Sequence, residues 1–297
     1  MCPSNTAPVY EGYALKYDTY QYKVAQEDHY VYDQKDPTRY VATSTRYQYN
    51  SYGQPVAVRT TQSDQATFWT LYKYPFDYNA AAMGGTMGTL QTKHMLNRVI
   101  EQRVTRNGAA ISGTVTEYDA DGQAVKVYQL QTPVPLTTGL HFDPAQINPN
   151  PDYYPQRIAL TYDAAKNVTS QQQVVGNVNV AYLWGYNRSY PIAEIRNATY
   201  AEVEAVLTPA VVAQLAGDSL GTDAQVRQAL QVLRTDARLQ KAQVTTYTYQ
   251  PLVGITSATD AAGVTTYYEY DALQRLKRVK DQDSNIVKQY VYHYQGQ

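Results

Sequence analysis

A tyrosine, often one of a pair, followed by an aspartate or asparagine and a turn recurs along this chain, and that recurrence constrains the fold more than any other feature. The copies are Tyr47-Gln-Tyr49-Asn50-Ser-Tyr-Gly53, Glu117-Tyr118-Asp119-Ala-Asp-Gly122, Thr161-Tyr162-Asp163-Ala-Ala-Lys166 and Tyr268-Glu-Tyr270-Asp271-Ala-Leu-Gln274. Tyr247-Thr-Tyr249 repeats the ring pair. Residues two apart share one face of a strand, so Tyr-x-Tyr sets two rings side by side, and Asp followed by a glycine or polar residue turns the chain. Each copy therefore predicts strand, turn, strand. Beyond Asp271 the pattern continues through Arg275–Lys280, the turn Asp281-Gln-Asp-Ser-Asn285 and the alternating Ile286–Tyr294.

The expected architecture is mainly β: antiparallel hairpins in a twisted or curled ribbon. Its aromatic surface is nearly all hydroxylated, with 31 tyrosines against 3 phenylalanines and 2 tryptophans, which suits a sheet with one wet face. One stretch departs from this. Thr199-Tyr-Ala-Glu202 and Thr222-Asp-Ala-Gln225 are helix-start signals, and apolar residues follow at helical spacing at Val203, Val206, Leu207, Val226, Leu230 and Leu233. Residues 199–240 are thus expected to form an inserted helical hairpin. The Pro-rich segment 132–155 is expected to loop outward. The expected division is an irregular β region over 1–180 and a more regular one over 181–297.

Formal net charge is −1 with both signs mixed, which argues against nucleic acid and anionic membranes as partners. No apolar run is long enough to span a bilayer, so membrane insertion is not expected either. Cys2 is the single cysteine, so no disulfide framework forms within one chain. With no apolar stretch before it, Cys2 is not read as a lipid-attachment site, and the opening residues lack the charged and apolar regions of a signal peptide. A start in mid-pattern is expected of a piece of a longer chain.

Candidate chemistry is thin. His29, His94, His141 and His293 are far apart and lack i+3 or i+4 partners, so no metal and no cofactor is expected. Asp281-x-Asp283-x-Asn285 opens like a calcium loop, but Ile286 stands where glycine is needed and Tyr292 where a bidentate glutamate belongs. Gly84-Gly-Thr-Met-Gly88 lacks the lysine and hydroxyl of a phosphate loop and is expected to be a flexible loop. No nucleophile elbow occurs, and Asn167, Asn187 and Asn197 head glycosylation patterns to which no weight is given.

These strings resemble the YD repeats of bacterial Rhs proteins, most closely over 181–297. The resemblance rests on Tyr182-Leu-Trp184-Gly-Tyr186-Asn-Arg-Ser-Tyr190-Pro-Ile192, Thr246-Tyr247-Thr-Tyr249-Gln-Pro-Leu-Val-Gly254 and Thr265-Thr-Tyr-Tyr268-Glu-Tyr270-Asp271. It implies a long β-ribbon spiralling into a shell around a C-terminal toxic domain. This chain ends directly after a repeat, is too short for a closed shell and offers no segment that can be placed as an autoprotease. What the resemblance implies is a section of wall or a surface-displayed repeat array, secreted or at the surface of a bacterium, with a toxin domain or other cargo on a longer chain as its partner.

The leading expectation is therefore a non-catalytic structural or interaction module. A second is a cell-surface carbohydrate binder that stacks surface glycans on Tyr182, Trp184 and Tyr186, against the favoured reading of Trp184 as an anchor of the sheet edge where the helical insert departs. A third is a glycoside-processing enzyme, which would need two carboxylates converging in one pocket.

Overall fold

The computed structural model describes residues 22–138, 142–147, 152–217 and 221–293. Among them sixteen strands form one antiparallel sheet in which each strand pairs with the next in sequence, so the chain runs as a continuous open meander. The first seven are β1 (Gln26–Tyr32), β2 (Tyr40–Tyr49), β3 (Pro55–Gln62), β4 (Thr67–Lys73), β5 (Glu101–Arg106), β6 (Ala109–Tyr118) and β7 (Ala124–Gln129). Then follow β8 (Gln156–Tyr162), β9 (Val168–Gln173), β10 (Val178–Gly185), β11 (Tyr190–Arg196) and β12 (Gln243–Gln250). The last are β13 (Gly254–Thr259), β14 (Thr265–Tyr270), β15 (Leu276–Lys280) and β16 (Ile286–Gln289). Pairing of Ala181 with Ser170 carries the sheet across position 180 without a break.

The aspartate of each repeat explains its turn. Its Oδ1 accepts the backbone N–H groups two and four residues on, at 2.8–3.0 Å, at Asp119, Asp163, Asp260, Asp271 and Asp281. Asn50 does the same through its amide oxygen. The residue three positions on is left-handed in every copy, with φ between 61° and 85° at Gly53, Gly122, Lys166, Gly263, Gln274 and Ser284. Glycine has no Cβ to resist that conformation, and polar residues adopt it at modest cost. At Gly122 a second constraint acts, because a Cβ would run into the Met95 sulfur. The loop at Asp281 is this same turn, with both carboxylate oxygens occupied by Asp283 N, Asn285 N and Asn285 Nδ2.

This geometry makes a direct test. Asp119→Ala is expected to lower the unfolding free energy by about 1–3 kcal/mol, because two N–H groups lose their acceptor. Asp119→Asn should restore most of the loss, since Asn50 already holds an equivalent turn. Urea denaturation of both variants measures the difference.

A bulge accompanies the turn. Where Tyr49, Tyr118, Tyr162, Tyr249 and Tyr270 meet the returning strand, the register slips by one residue, so Val56, Val125, Thr169, Thr256 and Lys277 have no partner opposite. Extra residues of this kind increase local twist and bend the strand that carries them. Bulges recurring on returning strands bias the ribbon to curl.

Apolar burial concentrates where inserted segments cover the sheet. The insert after β11 carries three helices where periodicity predicts a hairpin: α2 (Tyr200–Leu207), α3 (Pro209–Ala216) and α4 (Asp223–Thr235). Both expected caps are present, Thr199 with Glu202 reciprocally and Thr222 on Gln225 N. The first helix breaks at Thr208 (φ 67°), where Pro209 cannot donate to the preceding turn and starts a new helix instead. Val203, Leu207, Leu215, Leu230 and Leu233 pack against Ala181, Leu183, Ile192, Ile195 and Val244 of the sheet.

A second insert was not expected to be structured. Gly84-Gly-Thr-Met-Gly88 enters the first α-helix among the described residues, α1 (Thr86–Thr92), in which Met87 and Leu90 are fully buried with Tyr78, Ala82 and Ile100. Gly84 and Gly85 are left-handed, and Gly88 lies so close to Ala80 O that a Cβ would sit 2.9 Å from it. The glycines here close a tight junction and do not supply a loose loop.

Segment 132–155 also differs from expectation. Its described residues fold back over the sheet: Leu136 bridges Ala110, Asn79 N donates to Pro144 O at 2.8 Å, and Phe142 meets the Tyr78 ring edge-on at 5.0 Å. Ile147 and Tyr154 add to the covered patches. The prolines stop strand formation, while the aromatic and aliphatic residues between them still seek cover. Cys2, His141 and Tyr294 lie outside the described residues.

Candidate functional site

The tyrosine hydroxyls of the repeats have a shared task. The bulges beside the repeat turns leave, just before the extra residue, a backbone carbonyl that a ring of a following hairpin caps. Tyr74 donates to Pro55 O at 2.8 Å, Tyr162 to Ala124 O at 2.7 Å, Tyr249 to Pro191 O at 3.0 Å, Tyr270 to Ile255 O at 3.0 Å and Tyr292 to Leu276 O at 2.9 Å. Tyr49 and Tyr118 make related bonds to Val24 O and Val99 O. Tyr47 lies beside Tyr49 at 6.3 Å and Tyr247 beside Tyr249 at 6.5 Å, completing the ring pairs. Tyr268 is half-buried on β14 opposite Val279. Burial pushes the phenols of Tyr74, Tyr118, Tyr162 and Tyr270 above their ordinary value, and that of Tyr249 to about 12.

Trp184 occupies a rung of this ladder. Its indole N–H donates to Val168 O at 2.8 Å, and Val168 is the residue paired with Tyr162 beside the Thr169 bulge. The tryptophan thus does what tyrosine does in neighbouring units. Tyr186 is equally engaged: its hydroxyl accepts Tyr249 N at 2.8 Å and donates to Asp223 Oδ1 at 3.2 Å, while its ring meets Tyr190 and Tyr249 edge-on. Tyr182 is half-buried, its phenol raised first by burial and then by Glu194. The three candidate stacking residues do not present one open aromatic platform, because Tyr186 is bound into the α4 junction.

Tyr182 and Trp184 do line a cleft of roughly 190 Å³ between the Asp163 loop and α2–α3. Its polar rim is Asp163, Arg188, Tyr200 and Glu204, and its floor includes Leu183, Val212 and Leu215. Asp163 is heavily engaged, with Oδ1 taking two backbone N–H groups and Oδ2 lying 3.3 Å from Arg188. Burial raises the Tyr200 phenol, with Glu204 and Asp163 pushing the same way and Arg188 opposing.

Tyr200, Glu204 and Arg188 were not singled out from the sequence. Four-residue spacing of Tyr200 and Glu204 does put them on one face of α2, but their meeting with the Asp163 loop depends on how the insert docks. His29, His94 and His293 remain apart, and no group of histidine, cysteine and acidic residues able to hold a metal occurs among the described residues. No described helix is long and apolar enough to cross a membrane.

No family model matches the sequence, and no curated protein matches it. Solved structures do. The chain is similar to the crystal structure of TcdB2-TccC3-TEV, with a TM-score of 0.46 and 12% identity over 90% of this chain and 11% of that one. TcdB2-TccC3 without its hypervariable C-terminal region gives a TM-score of 0.34 at 14% identity, over 86% of this chain and 12% of that one. TcdB2-TccC3 gives 0.33 at 12% identity, over 80% and 12%. This chain spans about a ninth of the length of these structures.

Proposed function

We propose that the chain is a non-catalytic structural section of a YD-repeat wall, borne on a longer secreted or surface-displayed bacterial protein and facing cargo such as a toxin domain. The observation that carries this reading is the bond ladder: the recurring aspartates close turns, and the tyrosine before the turn, at Tyr162, Tyr249 and Tyr270, caps a bulge carbonyl. Even the distinctive Trp184 serves as a rung. In the cleft, Asp163 is held by its own loop and by Arg188, which disfavours a role as one of two catalytic carboxylates.

Trp184→Phe separates this reading from carbohydrate binding, because phenylalanine keeps an aromatic face and removes the N–H. The wall reading expects a loss of about 1–3 kcal/mol in urea unfolding, from the orphaned Val168 carbonyl, with no saturable binding on a glycan array before or after the change. Saturable glycan binding that survives Trp184→Phe and is lost in Trp184→Ala would move the assignment to a carbohydrate binder. Turnover of chromogenic glycosides, abolished by Glu204→Gln, would move it to an enzyme.

A further inference from the structure

Among the described residues, the cleft beside Trp184 has one charge more than its ion pairs use. Asp163 and Arg188 face each other at 3.3 Å, leaving Glu204, half-buried on α2, with no hydrogen bond or ion pair to a described residue. We propose that this cleft receives a single lysine or arginine side chain projected from a polypeptide lying against the sheet near β10. The proposal goes beyond the wall reading, since it names a contact the wall makes.

Size points to one side chain. The cleft holds roughly 190 Å³, below the ~300–1,000 Å³ of small-molecule pockets. Its floor of Leu183, Pro209, Val212 and Leu215 is apolar and matches the methylene stem that cationic residues bury while their heads stay polar. Trp184 and Tyr200 add aromatic surface to its lining, which suits a cation, and Glu204 supplies the counter-charge. Electrostatics at the Tyr200 phenol agree, since the two carboxylates outweigh Arg188 there. A sugar fits less well, because its many hydroxyls would need partners while the Trp184 N–H and the Asp163 oxygens are already engaged.

Trp184 is a convenient reporter, because the chain has 2 tryptophans and Trp69→Phe leaves it alone. In that background, Trp184 fluorescence is followed while N-acetyl-lysine methylamide, its norleucine analogue or methyl glucoside is titrated in, with circular dichroism verifying the fold. Saturable binding of the lysine probe is expected, at least ~10-fold tighter than norleucine, and weakened ~10-fold or more by Glu204→Gln. It should also weaken as salt is raised. Glutamine is as good a helix former as glutamate, so α2 is expected to survive the change. Absence of saturation, an equal response to norleucine or indifference to Glu204→Gln would each overturn the proposal while leaving the wall reading standing. Saturation by the glucoside in place of the lysine probe would overturn both.

Discussion

Leu233→Ala is expected to lower the unfolding free energy by about 2–5 kcal/mol, the range for emptying a fully buried leucine site. Leu233 has no exposed surface and lies on α4 in one buried cluster with Leu230 and the sheet residues Ile195 and Val244. The site has little freedom to collapse, because α4 is tied down by polar anchors on either side of the leucine. Arg227 donates to Ser257 Oγ at 3.0 Å, and Arg234 to Thr246 Oγ1 and the carbonyls of Thr259 and Asp260. Since single domains are stable by only ~5–15 kcal/mol, this one change removes a large share. The control is Val232→Ala on the same helix, where a side chain 43% exposed should change stability by no more than about 0.5 kcal/mol. Urea midpoints of the two variants, at unchanged denaturant slope, check the prediction. Equal losses at both sites would show that α4 does not cover the sheet as described.

Alkaline pH is expected to unfold the chain over a narrow window through its bond ladder. Tyr74, Tyr118, Tyr162, Tyr249 and Tyr270 all have phenols raised from the ordinary 10.0, burial being the first cause in each, and Tyr249 reaches about 12. A raised folded value means that the folded chain holds protons the unfolded chain has already released. The stabilisation is therefore fully present below pH 10 and is lost as pH rises toward 12 and beyond. The structural reason is plain: a phenolate cannot donate to the backbone carbonyl that its ring caps, and it places a negative charge against that oxygen. Far-ultraviolet dichroism followed against tyrosinate absorbance should show ionisation of these rings coinciding with loss of the sheet. A chain that keeps its sheet with all tyrosines ionised would show that the hydroxyls are dispensable.

The repeat was legible in the sequence because its physics is local. An aspartate side chain reaches N–H groups two and four residues away without help from the rest of the molecule, so the turns at Asp119, Asp163, Asp271 and Asp281 follow from composition and spacing. Helix caps at Thr199 and Thr222 are local for the same reason. The break at Thr208 was less legible, because the apolar period runs through it and only Pro209 marks it. Covered patches were harder still. Met87 and Leu90 lie in a glycine-flanked stretch whose helix becomes worthwhile only against Tyr78 and Ile100, and segment 132–155 reads as loop because its strand-breaking prolines say nothing of what its aromatic residues cover.

The site shows the same division. The family resemblance marked Trp184, flanked by Tyr182 and Tyr186, as distinctive, and it could not name the carbonyl on an adjacent strand that the indole caps. The repeating unit is encoded locally: a tyrosine-bearing strand, an Asx-closed turn, a returning strand, and the approximate position of a helical insert, all governed by bonds reaching at most four residues. The partner of each ring, and the meeting of Asp163, Arg188, Tyr200 and Glu204, are set by the folded chain. Those contacts join residues brought together by strand register and helix docking, and the net energy of docking many apolar side chains is not written in any one segment.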